Sequence, residues 1–176
     1  MKEHEFTLRF DTSARSEQTS VLLDRLAEHG CTDATVGVGI PGRLALMFSR
    51  EANSAQEAVL SAVRDVRHAL PRAVLVEASP DLVGISEVAA IVGRSRQNVR
   101  KLLVACRTAA PAPVHEGTSS LWHLATLLTW LRDEKRYRVD NDLLDLAATT
   151  MQLNIVAQEA GLSDGVNKEI RTLVSS

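Results

Sequence analysis

Arg96, Gln97, Asn98, Arg100 and Lys101 crowd into one short stretch, and all of these side chains present hydrogen-bond donors. A guanidinium spans two acceptors on the edge of guanine, and a Gln or Asn carboxamide matches the donor and acceptor of adenine. Arg and Lys also neutralise phosphates. Arg96 and Arg100 lie four positions apart, as do Gln97 and Lys101, so on a helix they line adjacent rows of one face. The chemistry such a row serves is recognition of a nucleic acid. The plainer alternative is a solvated helix face that happens to be basic.

The surrounding residues predict how this row is held. Ile85, Val88, Ala89 and Val92 recur at helical spacing and stop at Gly93, which permits the positive φ of a tight turn. Ser95 is placed to cap a second helix, whose Val99, Leu102 and Leu103 share one face. The small Ala89 lets that second helix cross close to the first. Two short helices joined by a glycine turn make a helix-turn-helix.

Charge is distributed accordingly. The whole chain of 176 residues sums to −2, but the sum conceals unlike parts. Residues 1–80 carry 9 Lys/Arg against 11 Asp/Glu, residues 81–139 carry 9 against 5, and residues 140–176 carry 2 against 6. The basic middle coincides with the helix-turn-helix, as a polyanionic partner requires. Apolar residues make up 45% but aromatics only 3%, so the cores must be built from Leu, Val and Ala.

Catalytic patterns are missing. The five histidines are scattered, and the sequence contains no HExxH and no phosphate-binding glycine loop. Gly37, Gly39 and Gly42 sit in a hairpin and open no helix. Asp140, Asp142 and Asp145 read as a solvated helix face. Cys31 and Cys106 form no CxxC pair and read as small buried residues of a cytoplasmic protein. No enzyme activity, cofactor or metal is expected. The charged, alternating N-terminus lacks the apolar run of a signal peptide, and no stretch has the length to span a membrane.

Along the chain, His4–Phe10 alternates as a half-buried strand with Phe6, Leu8 and Phe10 on one side. A helix is expected from about Glu17 to His29, a strand over Ala34–Ile40, a turn at Pro41-Gly42 and a strand around Leu44, Leu46 and Phe48. Ser54 and Glu57 make a capping box for a helix ending near Leu70, and Ala73–Ser79 forms the last strand. Strand, helix, strand, strand, helix, strand is the ferredoxin-like βαββαβ order. Its open sheet face would show Thr7, Arg9, Ala45 and Met47. RNA-recognition modules of this fold display stacking aromatics there, whereas Phe6, Phe10 and Phe48 fall on the core side. The open face reads instead as a dimer contact, a partner surface or a small-molecule site.

Beyond Pro80-Asp81 and the helix-turn-helix, Pro111 and Pro113 interrupt any helix. Residues 112–122 read as a two-stranded wing braced by Trp122, followed by a helix from Ala125 to about Tyr137. Residues 82–138, with I-S-E-V-A-A-I-V-G-R-S-R-Q-N-V-R-K-L, then P-A-P, then L-W-H-L and a helix ending in W-L, resemble the winged helix-turn-helix of MerR-like regulators and of small excisionase-like phage regulators. The resemblance covers about a third of the chain. It implies that the second helix enters the major groove through Ser95, Arg96, Gln97, Asn98, Arg100 and Lys101. It also implies that the wing residues His115, Thr118 and Ser119 touch the flanking backbone. Arg94 departs from the pattern, which often has an apolar residue there; it reaches a phosphate or is simply exposed. MerR-like proteins usually begin with this domain, so their effector chemistry is not carried over.

Val139–Ala160 reads as a long amphipathic helix with Leu143, Leu144, Leu146, Ala147, Met151, Leu153, Ile155 and Val156 on a broad apolar surface. A last helix is expected from Ser163 to about Val174. The broad surface needs a partner: the same helix of a second subunit, which is preferred, or the chain's own N-terminal domain. The expectation is therefore an α+β protein in three parts. These are a ferredoxin-like domain over 1–80, a winged helix-turn-helix over 81–138 and C-terminal amphipathic helices over 139–176. Its function would be sequence-specific binding of double-stranded DNA as a transcriptional regulator. It would act as a homodimer on an inverted repeat, through residues 139–176, the open sheet face or both. The competing expectations are an antitoxin-like regulator that holds a protein partner and an excisionase-like DNA-architecture factor.

Overall fold

The computed structural model describes residues 1–13, 18–162 and 170–171. It is a mixed α and β structure. Strand β1 (Lys2–Asp11) lies at the centre of an antiparallel sheet, between β3 (Arg43–Ala52) and β4 (Val74–Ser79), with β2 (Ala34–Gly37) outside β3. Alternation decides which side faces inward: Phe6, Leu8 and Phe10 of β1 and Leu44, Leu46 and Phe48 of β3 are all buried. Helices α1 (Thr19–Glu28) and α2 (Ala55–Ala69) supply Leu26, Ala58, Val59, Ala62 and Val66 to the same core. The rings of Phe6 and Phe48 stack there with centroids 5.2 Å apart, so these aromatics serve packing and are not offered to a base. The Ser54 hydroxyl caps α2 by accepting from Glu57 N–H at 3.1 Å, while Glu57 reaches back one residue further than expected, to Asn53 N–H at 3.1 Å.

The second strand is shorter than the alternation suggests. It ends at Gly37, and Val38 and Ile40 lie exposed in the hairpin loop. Glycine on both sides of Val38, followed by Pro41-Gly42 with Gly42 at φ +74°, favours the turn over further pairing. The open face of the sheet carries Thr7, Arg9, Ala45 and Met47 as expected, and adds the exposed Val74 and Val76 of β4, where the register with β1 shifts.

Arg50 takes an inward position of β3 and is 8% exposed. All five of its N–H donors are used: two on Asp33 (2.7 and 3.0 Å), one each on Asp65 (2.7 Å), Ser61 Oγ (3.1 Å) and the Gly30 carbonyl (2.9 Å). A cation is tolerated there because every donor has an acceptor. The ion pairs hold its pKa above the ordinary guanidinium value against the opposing cost of burial.

Cys31 lies in the same corner, 3% exposed. Burial, then the neighbouring Asp65, pushes its thiol pKa up from 9.0 to about 11. A thiol that keeps its proton longer in the folded state contributes stability below pH 9 that is lost as pH rises toward 11. Cys31 is therefore expected to resist maleimide and disulfide reagents at neutral pH while the less buried Cys106 reacts. Thiol counting in native and urea-unfolded protein should give one fast-reacting group and then two. Two fast groups in the native protein would contradict the buried placement.

The second half begins with β5 (Leu82–Val83), which pairs antiparallel with β6 (Trp122–His123). Between them lie α3 (Ile85–Ile91) and α4 (Arg96–Ala105), and after them α5 (Leu124–Asp133) and α6 (Asn141–Glu159). Val88, Ala89, Val99, Trp122, Leu124, Leu127, Leu128 and Leu131 form the second core. The expected two-stranded wing is reduced to one bridge between His115 and Leu121. Trp122 is drawn off to pair with Val83 instead, which removes the wing's second strand. The indole still braces the segment, donating to the Pro111 carbonyl at 3.1 Å.

Helix α6 is shared by both halves. Leu144 and Ala147 enter the second core and Leu146 the first, so the inner part of the apolar surface expected to meet another subunit is covered by the chain itself. Ile155 and Val156 stay exposed. Asn154 pairs its carboxamide with the outer backbone groups of Ala78, accepting from N–H at 2.7 Å and donating to C=O at 2.8 Å, and also donates to Asp81 Oδ2 at 2.7 Å. The other Asp81 carboxyl oxygen is 2.6 Å from His123 Nδ1, and the Thr150 hydroxyl donates to the Pro80 carbonyl. The linker at 80–81 is thus tied to α6 and β6 rather than left loose. The final helix expected from Ser163 lies almost wholly outside the described residues. Among the described residues no helix is long and apolar enough to cross a membrane.

Candidate nucleic-acid interface

Helix α3 closes through Gly93, whose φ of +63° places the amides of Gly93 and Arg94 on the Ala90 and Ala89 carbonyls at 3.2 and 2.8 Å. The chain is then aimed into α4. Ser95 Oγ accepts from Asn98 N–H at 3.2 Å, satisfying one of the free amides of the first turn. Val99, 1% exposed, with Leu102 and Leu103 half-buried behind it, presses the helix onto the second core. The side that remains is the polar one.

That side is exposed at every position singled out from the sequence: Arg94, Ser95, Arg96, Gln97, Asn98, Arg100 and Lys101. Arg96, Arg100 and Lys101 make no ion pair or side-chain hydrogen bond with any described residue. Helix α4 carries no acid, so the row is an uncompensated cationic surface, with Gln97 and Asn98 among the charges. Ser95 is committed as a cap through one lone pair, which leaves its hydroxyl proton and second lone pair for a ligand. Arg94 is half-engaged, with its guanidinium carbon 5.6 Å from the centroid of the Tyr137 ring.

The wing residues His115, Thr118 and Ser119 are also exposed. The His115 imidazole folds over Gly117, where a side chain would meet Nε2 at 2.6 Å. Between this segment and α4 runs a valley of about 380 Å³ lined by Arg100, Leu103, Val104, Arg107, Pro113 and Trp122. Arg107 was not singled out from the sequence. It continues the Arg96–Arg100 row past the end of α4 at Ala105, and its spacing was the available signal.

The structure therefore brings Arg94–Lys101 and the wing segment to one side of the second core, with Arg100 and Arg107 on the α4 wall of the valley and Glu116 as the charged residue of the opposite wall. Among the described residues no group of three His, Cys, Asp or Glu side chains converges as a metal site. Comparison with family models, with curated proteins and with solved structures finds no match, so the functional reading rests on this geometry.

Proposed function

We propose that the chain is a sequence-specific double-stranded DNA-binding protein, a transcriptional regulator whose α4 reads bases in the major groove. The observation that carries this reading is the exposed and unpaired row of Arg96, Gln97, Arg100 and Lys101 on a helix fixed by its cap, its turn and Val99. Guanidinium and carboxamide groups held on a rigid element at one-turn spacing suit base edges. Two finer assignments go with it. The order β2-β3-β1-β4 with both helices on one face supports a ferredoxin-like plan for the first half. The α3–α4 pair with its abbreviated wing supports a winged helix-turn-helix for the second.

A homodimer on an inverted repeat completes the proposal, because one such module gives a small interface for tight binding. Its contact surface would be drawn from the exposed Ile155 and Val156 of α6 or from the open sheet face. The exposed Met47, Val74 and Val76 on that face favour a second reading, in which the regulator also holds a protein partner.

Selection of bound duplexes from a random pool tests the main reading. It should yield a defined site, with two-fold symmetry if the dimer is right, and affinity should fall steeply as salt rises. Recovery of no preferred sequence, with affinity no better than for scrambled duplex, would remove α4 as a reader of bases.

A further inference from the structure

The open face of the sheet has two unlike ends. At one end Glu3 stands directly opposite Glu51 across β1 and β3, and Glu5 follows on β1. Like charges in facing positions destabilise a sheet. Glu5 and Glu51 make no ion pair with any described residue, and Glu3 has the Ser49 hydroxyl at 2.5 Å. At the other end of the same face stand Arg9 and Arg43. Arg43 comes only within 3.6 Å of Asp11, whose carboxylate already accepts from Ser13 N–H at 2.8 Å. Arg9 is held by Glu77 and Ser79, at 3.0 Å each.

Elsewhere the face is apolar, with Met47, Val74 and Val76 exposed; such a patch marks a contact with another polypeptide. Each end also carries a hollow. A cleft of about 780 Å³ opens at the acidic end between the sheet and α3, with Glu5, Met47 and Ser49 on one side and Ile91 on the other. A hollow of about 530 Å³ at the arginine end is lined by Ala45, Val76 and the Ile40 of the hairpin loop. Strands of 4, 10, 10 and 6 residues, at about 3.4 Å per residue and 4.8 Å between strands, give a footprint of about 500 Å². Two such faces stacked cover roughly 1,000 Å², the least that a specific interface needs, and the hairpins and clefts add to it.

We propose that this face is covered by the same face of a second copy, related by a two-fold axis that runs between the sheets and across the strands at the Thr7–Met47 pair. This axis exchanges the two ends. Glu51 of each copy then lies over Arg43 of the other, Glu5 over Arg9, and Met47 over Met47. The hairpin tip of each copy, with Ile40, comes over the cleft of the other. A two-fold axis along the strands would instead stack the acidic ends on one another, so charge selects the crossing axis. The inference deepens the homodimer that goes with the DNA-binding reading, choosing the sheet over α6, and its test needs no DNA.

Light scattering of the full chain should give twice the chain mass of 19.2 kDa. Glu51→Arg and Arg43→Glu should each weaken self-association roughly tenfold or more, since each sets two like-charged pairs across the axis. Mixing the two variants should restore the dimer, because one copy then supplies both cations and the other both carboxylates. Met47→Cys, in a Cys106→Ala background, should be joined to itself by a short bis-maleimide, whereas Leu60→Cys on the outer side of α2 should not. A monomeric wild type overturns the proposal. So does a dimer indifferent to both charge reversals, a mixture that fails to re-form it, or cross-linking at Leu60 but not at Met47. All of these leave base reading by α4 to the duplex titration, and loss of duplex binding alone leaves the sheet contact standing.

Discussion

Alanine at Arg96 or at Arg100 is expected to weaken binding to the selected duplex by about 1–3 kcal/mol each, roughly five- to 150-fold. The two sites lie one turn apart on an exposed face and make no ion pair with any described residue. Their removal should therefore change folding stability by less than about 0.5 kcal/mol. That separation makes the experiment decisive, because any loss of binding is a loss of contact. Lysine provides the discriminating control. It keeps the positive charge but not the planar fork, so Arg100→Lys should recover binding to scrambled duplex without recovering discrimination. Fluorescence anisotropy on matched and scrambled duplexes reads both quantities. Equal affinity of wild type and both alanine variants on the selected site would move base recognition elsewhere.

Asp81→Ala should produce a large stability loss outside the apolar cores, about 3 kcal/mol. The side chain is buried, 3% exposed, and joins Asn154 at 2.7 Å to His123 at 2.6 Å. Alanine leaves the buried Asn154 donor short of a partner, and an unmade buried hydrogen bond costs more than a made one contributes. Asp81→Asn keeps an acceptor and the shape, so it should cost markedly less. Urea unfolding followed by circular dichroism would rank the two. A loss below about 1 kcal/mol for the alanine variant would show that water replaces the carboxyl group.

Much of this architecture is legible along the chain because local physics dictates it. Periodicity places α2, α3, α4 and α6, and the cap at Ser95 and the turn at Gly93 follow from residue type. The rest depends on pairs far apart in sequence. Nothing near Trp122 announces that it will pair with Val83 and so dismantle the expected ribbon. An inward arginine in β3 breaks the apolar alternation, and only the fold reveals Asp33 and Asp65 around it. An amphipathic stripe on α6 announces burial but not the identity of what buries it. The Arg-rich row of α4 was legible because Arg96 and Arg100 fall one helical turn apart directly behind a capping Ser95 and a glycine turn.

The carboxamide of Asn154 plays the part of a missing neighbour strand for β4. An outer strand with bare amides and carbonyls invites another polypeptide to zip onto it. This molecule seals its vulnerable rim with a group made 76 residues later in synthesis. A nascent chain that has only just completed its sheet therefore emerges with an unguarded border. It stays that way until the last long helix leaves the ribosome and closes it. Quality of assembly in this protein is thus tied to the arrival of its C-terminal third.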